Sequence, residues 1–189
     1  MNKVAIFASG SGSNAQCIAE YFNNHKSISV SLILSNKPDA FVLERARKLN
    51  IPSVVFSREQ FYDNNHVLDI LKSNDISYVI LAGFLWLIPE SLINAYPDKI
   101  INIHPALLPK HGGKGMYGDN VHKAVVAEGD KESGITIHFV NREYDRGTII
   151  YQAKCKVDTT DTPDDVAQKV HRLEYQYYPS VIEKVILGK

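Results

Sequence analysis

The sequence predicts an α/β fold: a single-domain, doubly wound, mostly parallel sheet with an antiparallel hairpin near the C-terminus. Three observations predict it. Short apolar runs alternate with amphipathic stretches from the first residues onward. Two later runs are almost continuously apolar, as strands covered by helices on both faces must be. The last two strand-like segments alternate apolar and polar residues around a turn.

The alternation of strands and helices is regular in the first part of the chain. Strands are predicted over residues 4–8, 28–34 and 53–56, and helices over residues 14–22, 40–49 and 60–72. Buried strands follow at 78–82 and 100–103. This βαβα order favours a parallel sheet, because parallel neighbours need a helical crossover between them.

The pattern changes after the second buried strand. Residues 105–118 hold prolines and glycines without a hydrophobic period, which predicts a long loop that could act as a lid. A helix at about 120–128 and a hairpin of strands 134–140 and 148–157 come next. A closing helix over 164–187 has Thr162 as its N-cap and Pro163 in its first turn, and Pro179 is expected to end or kink it.

Composition excludes several classes of protein. The chain has 189 residues, 44% hydrophobic and 22% charged, with 21 basic and 21 acidic residues in balance. One domain over residues 1–189 is expected, with no nucleic acid partner, since no net field attracts a polyanion. No apolar run is long enough for a membrane span, so a soluble, cytoplasmic protein is expected. The two cysteines, Cys17 and Cys155, are far apart and have no metal-binding spacing.

The turn after the first strand is a candidate phosphate site. Gly10, Gly12, Ser13 and Asn14 place small residues at the start of a helix, where backbone N–H groups and the helix dipole favour an anion. The turn lacks the third glycine of the dinucleotide fingerprint and the Gly-Lys-Ser/Thr of a P-loop. A small phosphorylated substrate therefore fits best, and a plain capped turn is the alternative.

Asn102 and His104 form the strongest candidate for a reactive centre. Their i, i+2 spacing on a strand points both polar side chains to one face, at the carboxyl end where open α/β sheets bind ligands. An amide N–H and an imidazolium directed at one point can stabilise an oxyanion, and the imidazole can also pass a proton. This combination predicts acyl transfer, against the alternative of two satisfied core polar groups. Asp145, in the hairpin turn, is the best acidic candidate to hold the imidazole.

Taken together, these motifs resemble the folate-dependent formyltransferases, and within them the glycinamide ribonucleotide branch. The resemblance covers nearly the whole chain. It rests on Gly12-Ser13-Asn14, Ala82-Gly83-Phe84, Asn102-Ile103-His104-Pro105, Leu107-Leu108-Pro109-Lys110, residues 134–140, Asp145 and Glu174.

The resemblance implies an enzyme of purine biosynthesis that moves a formyl group from 10-formyltetrahydrofolate to glycinamide ribonucleotide without a metal, as a monomer or homodimer. The implied catalytic residues are Asn102, His104 and Asp145. The implied substrate-binding residues are Gly12, Ser13 and Asn14 for the phosphate and Glu174 for the ribose. The implied folate-binding residues are Arg58, Leu85, Trp86, Leu87, Ile88, Asn102, Asn141, Arg142, Glu143, Tyr144 and Asp145.

The sequence departs from the family pattern at three places. The family commonly has Asn where Ser11 stands, and often has Arg where Trp86 stands. The segment 111–118 is longer and richer in glycine than the family's usual loop. The alternatives are a formyltetrahydrofolate deformylase, a methionyl-tRNA formyltransferase and a non-catalytic phosphosugar-binding domain. The two enzymes usually carry an additional domain, which this sequence is expected to lack.

Overall fold

The computed structural model describes residues 1–188 as one sheet with helices on both faces. The strands are β1 Asn2–Phe7, β2 Ile28–Ser35, β3 Ser53–Val55, β4 Ile76–Leu81, β5 Ile100–His104, β6 Glu132–Phe139 and β7 Ile149–Lys156. The helices are α1 Ser13–Tyr21, α2 Val42–Lys48, α3 Arg58–Tyr62, α4 His66–Ser73, α5 Glu90–Ala95, α6 Asp119–Ala127 and α7 Pro163–Leu187.

The strand order is β3-β2-β1-β4-β5-β6-β7. Pairing is parallel from β3 to β5, whereas β6 is antiparallel to both β5 and β7. The predicted fold class is thereby confirmed. The chain leaves β1 in one direction and returns to β4 on the other side, so the carboxyl ends of β1 and β4 flank the crevice where such sheets bind ligands.

Helices cover both faces of the sheet, which explains the nearly continuous apolar strands. On β1, Val4 and Ile6 pack into one hydrophobic cluster, with α1, α2, α6 and α7, and Ala5 and Phe7 pack into a second cluster, with α3, α4 and α5. All four side chains are fully buried. Neither face of this strand can carry a polar side chain without burying it.

Two helix predictions needed correction. The single helix predicted over 60–72 is divided into α3 and α4. Ser57 and Gln60 form a capping box that begins α3, and α4 begins after Asn65, where the side chain of Asn64 accepts a hydrogen bond from the His66 N–H at 3.0 Å. The short helix α5, between β4 and β5, was not predicted.

Pro179 was expected to end or kink helix α7, and the helix does not end there. It continues to Leu187, and Pro179 is buried within it. A proline at this position has no N–H to donate to the carbonyl of Tyr175, four residues earlier. The Cys17 thiol donates to that carbonyl instead, with Sγ 3.6 Å from the oxygen. A contact from α1 thus supplies a donor that the helix itself lacks.

Among residues 1–188, no helix is long and apolar enough to cross a membrane.

Candidate active site

A cavity of about 710 Å³ opens at the carboxyl ends of β1, β4 and β5. This volume is in the range of pockets that hold small molecules. Its walls come from the turn after β1, the segment after β4, the end of β5, the loop before α6, the hairpin turn and α7. The predicted residues that line it are Gly12, Ser13, Asn14, Leu85, Trp86, Leu87, Ile88, Asn102, His104, Glu143, Tyr144, Asp145 and Glu174.

The turn after β1 forms one end of the cavity. Gly12 has φ +73°, a left-handed conformation that an L side chain rarely adopts. A Cβ at Gly12 would stand 2.4 Å from Cγ2 of Val42, so glycine is required for space as well. Gly12 immediately precedes α1, and its carbonyl accepts the first helical hydrogen bond, from Gln16 at 2.9 Å. The turn therefore presents the N-terminus of α1 to the cavity.

Glu174 connects this turn to the last helix. It is 5% exposed, and its Oε2 accepts hydrogen bonds from Asn14 Nδ2 at 2.9 Å and from His171 Nδ1 at 2.8 Å. The bond to Glu174 raises the pKa of His171 above its ordinary value, although burial opposes this. His171 also lines the cavity and was not singled out in the sequence. The i, i+3 spacing of His171 and Glu174 on a helix was the available signal.

Asn102 and His104 lie at the opposite wall, at the end of β5. Antiparallel pairing places Asn102 opposite His138 on β6. His138 Nδ1 donates to the Phe139 carbonyl at 2.8 Å, so its Nε2 can accept from Asn102 Nδ2, 3.1 Å away. His138 thereby fixes the orientation of the Asn102 amide. This role of His138 could not be predicted, because a histidine alternating within a strand is equally compatible with a structural role.

Asp145 closes the group from the hairpin turn. Its Oδ2 lies 3.5 Å from His104 Nδ1 and accepts a hydrogen bond from the Gly113 N–H at 2.9 Å, while its Oδ1 lies 3.7 Å from His138 Nε2. Burial alone would raise the pKa of Asp145, but His138 and His104, each in its protonated form, and the Gly113 N–H outweigh it and lower the pKa. The carboxyl group is therefore held as the anion beside two imidazoles.

His104 is 4% exposed and is held from both sides. Its Nε2 donates to the carbonyl of His111 at 2.7 Å, and its Nδ1 faces Asp145. Burial lowers the pKa of His104, and the Asp145 carboxylate and the His111 carbonyl offset part of this effect. Negative charge that develops next to the ring in the cavity would favour the cation further.

An aromatic cluster supports the segment after β4. Trp86 lies near Phe56, Phe61, Tyr62 and Phe84, with ring centroids 5.9 to 6.3 Å apart. The Tyr62 hydroxyl donates to the Leu87 carbonyl at 2.8 Å. These contacts fix the backbone of residues 85–88 along the cavity wall.

Three of the residues expected to contact folate do not line the cavity. The guanidinium of Arg58 lies over the rings of Tyr62, at 4.7 Å, and Trp86, at 5.8 Å, behind the wall. Arg142 pairs with Glu90 at 2.6 Å, and Asn141 donates to the Arg146 carbonyl within the hairpin turn at 3.0 Å. Their side chains stabilise the elements around the cavity.

The loop between β5 and α6 covers the cavity from one side. Its segment 113–118 lines the cavity, and Gly113, Gly115 and Gly118 all have positive φ. This is the glycine-rich segment predicted as a lid. His122, in α6 behind the loop, also lines the cavity; it is 2% exposed, and its Nδ1 has no hydrogen-bond partner among the described residues. Burial and the nearby His171 lower the pKa of His122.

Comparison with known proteins identifies the family to which the chain belongs. Residues 2–182 match the formyl transferase family. The chain is 42% identical over 186 residues to a chloroplastic phosphoribosylglycinamide formyltransferase of Arabidopsis thaliana, covering 95% of this chain and 64% of that relative. It is 37% identical over 192 residues to the phosphoribosylglycinamide formyltransferase of Bacillus subtilis, covering 98% and 95% of the two chains.

Solved structures are similar over the same extent. Glycinamide ribonucleotide transformylase 1 of Symbiobacterium toebii superposes with a TM-score of 0.90 at 29% identity, covering 100% of this chain and 89% of the other. The phosphoribosylglycinamide formyltransferase of Streptococcus pneumoniae gives a TM-score of 0.86 at 34% identity, with 98% and 99% coverage. The chain belongs to the formyl transferase family. It spans 64% of the length of the Arabidopsis relative and 95% of the Bacillus relative.

Proposed function

We propose that the chain transfers a formyl group from 10-formyltetrahydrofolate to the primary amine of N1-(5-phospho-D-ribosyl)glycinamide (glycinamide ribonucleotide). The products are the N-formyl compound and tetrahydrofolate, and the step belongs to de novo purine (IMP) biosynthesis. One observation carries the proposal: Asn102, His104 and Asp145 converge on a cavity whose other end is the turn at the N-terminus of α1. The family membership and the relatives' names support it.

The turn after β1 binds the substrate phosphate in this proposal. Gly12, Ser13 and Asn14 offer backbone N–H groups at the N-terminus of α1, where the helix dipole favours an anion. Glu174, already hydrogen-bonded to Asn14 and His171, accepts a hydroxyl of the ribose. Binding at this end leaves the amine of the substrate free to reach the group at the end of β5.

Asn102 and His104 carry the chemistry. The lone pair of the amine forms a bond to the formyl carbon, and the carbonyl electron pair moves to oxygen. Asn102 Nδ2–H and the Nδ1–H of protonated His104 donate to that oxyanion. Such donors are most effective when they are fixed before the reaction, as the His138 contact fixes Asn102 and the His111 carbonyl fixes His104. Loss of one such donor costs on the order of a hundredfold in rate.

Asp145 keeps His104 oriented and favours its cation. Collapse of the tetrahedral intermediate re-forms the carbonyl and breaks the bond to the folate nitrogen, which takes up a proton, while the former amine loses one. His104 is placed to pass this proton, because it lines the cavity and the His111 carbonyl holds its Nε2, which leaves Nδ1, beside Asp145, as the nitrogen that can exchange a proton.

The segment 85–88 and the hairpin turn form the folate pocket. Leu85 and Trp86 present apolar surface, and the backbone of Leu87 is fixed by Tyr62. Glu143, Tyr144 and Asp145 form the facing wall. Apolar walls with a few fixed backbone groups suit a flat heteroaromatic ring such as a pterin.

One assay separates this function from its alternatives. The protein is mixed with 10-formyltetrahydrofolate, with and without glycinamide ribonucleotide, and the folate absorbance is followed. Turnover only with the amine supports the proposal. Turnover without it indicates a deformylase. If neither mixture turns over, charged initiator tRNA is added as the acceptor. Turnover then indicates a methionyl-tRNA formyltransferase, and none indicates a non-catalytic phosphosugar-binding domain.

We also propose that residues 1–189 act as one domain, in the cytoplasm, as a monomer or a homodimer. The continuous sheet and the two hydrophobic clusters that cover its faces support the first point. Sedimentation velocity of the active protein distinguishes monomer from dimer, and cell fractionation tests the location.

A further inference from the structure

A hydrogen bond links His104 to a group of charged residues outside the cavity. The carbonyl of His111 accepts from His104 Nε2 at 2.7 Å. Since a carbonyl can only accept, Nε2 must carry the proton. The bond therefore selects either the Nε2–H tautomer or the cation of His104, and in both forms it directs Nδ1 towards Asp145.

The side chain of His111 is itself held firmly. It is 5% exposed, and its Nε2 donates to Asp130 Oδ2 at 2.7 Å. Asp130, in the turn between α6 and β6, also binds the ammonium of Lys110, which contacts Glu128 at 3.2 Å. Burial would raise the pKa of Asp130, but the bonds from Lys110 and His111 outweigh it and lower the pKa.

None of these four residues lines the cavity. His111, Glu128 and Asp130 have a ring nitrogen and carboxylate oxygens within 4.8 Å of one another. The Lys110 ammonium pairs with both carboxylates as their cation. The hydrogen bond between the His111 carbonyl and His104 Nε2 connects this group to the cavity wall.

We propose that Asp130 and His111 are positioning residues for His104 in formyl transfer. This inference rests on the function proposed above. Asp130 fixes the His111 ring, the ring fixes the backbone at that residue, and the carbonyl holds the catalytic imidazole with Nδ1 facing Asp145 and the cavity. A hydrogen bond to a charged group is stronger than one between neutral groups, so the carbonyl also favours the His104 cation.

The groups around His104 determine in which direction its pKa should change when the His111 carbonyl is released. Asp145 favours the cation, and the rings of His138 and His111 oppose it when they are charged. The hydrogen bond to the His111 carbonyl raises the pKa of His104. Releasing the carbonyl therefore lowers that pKa, and the cation is lost at a lower pH.

The test compares Asp130→Ala with Glu128→Ala in the full chain. Both truncate a carboxylate that binds Lys110, but only Asp130 makes a 2.7 Å bond to His111, whereas Glu128 Oε1 lies 3.8 Å from His111 Nδ1. For Asp130→Ala we expect kcat to fall about tenfold, KM for both substrates to stay within about twofold, and the alkaline limb of the kcat profile to move to lower pH. Glu128→Ala should stay close to the parent protein. Asp130→Asn, which keeps an acceptor for His111, should recover most of the loss.

A second measurement does not depend on turnover. In the unliganded protein, the His104 Nε2–H should exchange slowly with solvent, as seen by NMR of the imidazole, and exchange should accelerate in Asp130→Ala but not in Glu128→Ala. Unchanged exchange in Asp130→Ala overturns the inference. A loss of kcat in that variant with an unshifted pH profile also overturns it, since this indicates a purely structural role. An inactive parent protein contradicts the proposed function alone, and the exchange measurement still decides the positioning role.

Discussion

The two ends of the cavity are built in different ways. The end at β1 lies in the parallel half of the sheet and offers backbone N–H groups, with Glu174 behind the turn. The end at β5 lies where the sheet becomes antiparallel, and it offers the titratable side chains of His104, His138 and Asp145. A parallel crossover delivers a helix N-terminus, whereas an antiparallel neighbour can place side chains directly opposite one another.

This difference suggests that one end of the cavity binds the substrate and the other end carries the chemistry. Backbone groups do not titrate at neutral pH, so the backbone contacts proposed for the phosphate at the first end do not depend on the ionisation of a side chain. The imidazoles and the carboxylate at the second end change charge with pH, so they can move protons and stabilise a transient oxyanion. Substitutions at the two ends should accordingly separate into effects on KM and effects on kcat.

The largest effect is expected for His104→Ala. It removes a donor to the oxyanion, and kcat should fall on the order of a hundredfold to a thousandfold, with the KM for the phosphorylated amine little changed. Steady-state kinetics measure this change, and circular dichroism verifies the fold. A fully active variant would contradict the assignment of the chemistry to the β5 end of the cavity.

Asp145→Asn should have the next largest effect, with kcat lower on the order of a hundredfold. The Asp145 carboxylate raises the pKa of His104, so its removal lowers that pKa. If the cation is the active form, activity is present below the pKa of His104 and lost as the pH rises through it, and the variant loses activity at lower pH. A pH profile of kcat in which the alkaline limb does not move would contradict this role.

At the other end, Gly12→Ala should destabilise the protein and weaken binding of the phosphorylated amine. The new Cβ would meet Val42 at 2.4 Å with φ at +73°, at a cost of about 1 to 3 kcal/mol. Gly10→Ala is the matched control, since a Cβ there meets nothing within 4 Å. Thermal unfolding of both variants measures the difference, and equal melting temperatures would show that the turn tolerates a side chain.

The smallest effect is expected for Glu174→Gln. The amide keeps one acceptor but loses the charge that binds Asn14 and His171. KM for the phosphorylated amine should rise about tenfold, with kcat within about twofold of the parent protein. Isothermal titration with the substrate provides an independent value. A drop in kcat without a change in KM would place Glu174 at the chemical end instead.

The sequence was informative where one local rule decides the structure. Alternating apolar runs predicted the sheet, and the glycines and small residues at 10–14 predicted the turn, because each depends on neighbours in the chain. Asn102 and His104 were recognisable because polar side chains interrupt a buried strand. The break between α3 and α4 was missed because the hydrophobic period continues across the turn in which Asn64 accepts from the His66 N–H.

The rest of the site depends on contacts between distant segments. His138 became part of it through its register with Asn102 across β5 and β6, which no spacing reveals. His171 required the packing of α7 against the turn after β1. At Pro179, likewise, the donor to the Tyr175 carbonyl is a thiol from α1, which no pattern within α7 reveals. Asp145 was predicted only in combination with Asn102 and His104, since Asp in a turn is common on its own.

The fate of the formyl carbon tests the account most directly. The protein and its His104→Ala variant are incubated with 10-formyltetrahydrofolate labelled with ¹³C in the formyl group, together with glycinamide ribonucleotide, and the label is followed by NMR. The account predicts that the parent protein moves the label into an N-formyl amide of the phosphosugar, and that the variant leaves it on the folate. Label released as free formate by the parent protein, or transfer by the variant at the parental rate, would contradict it.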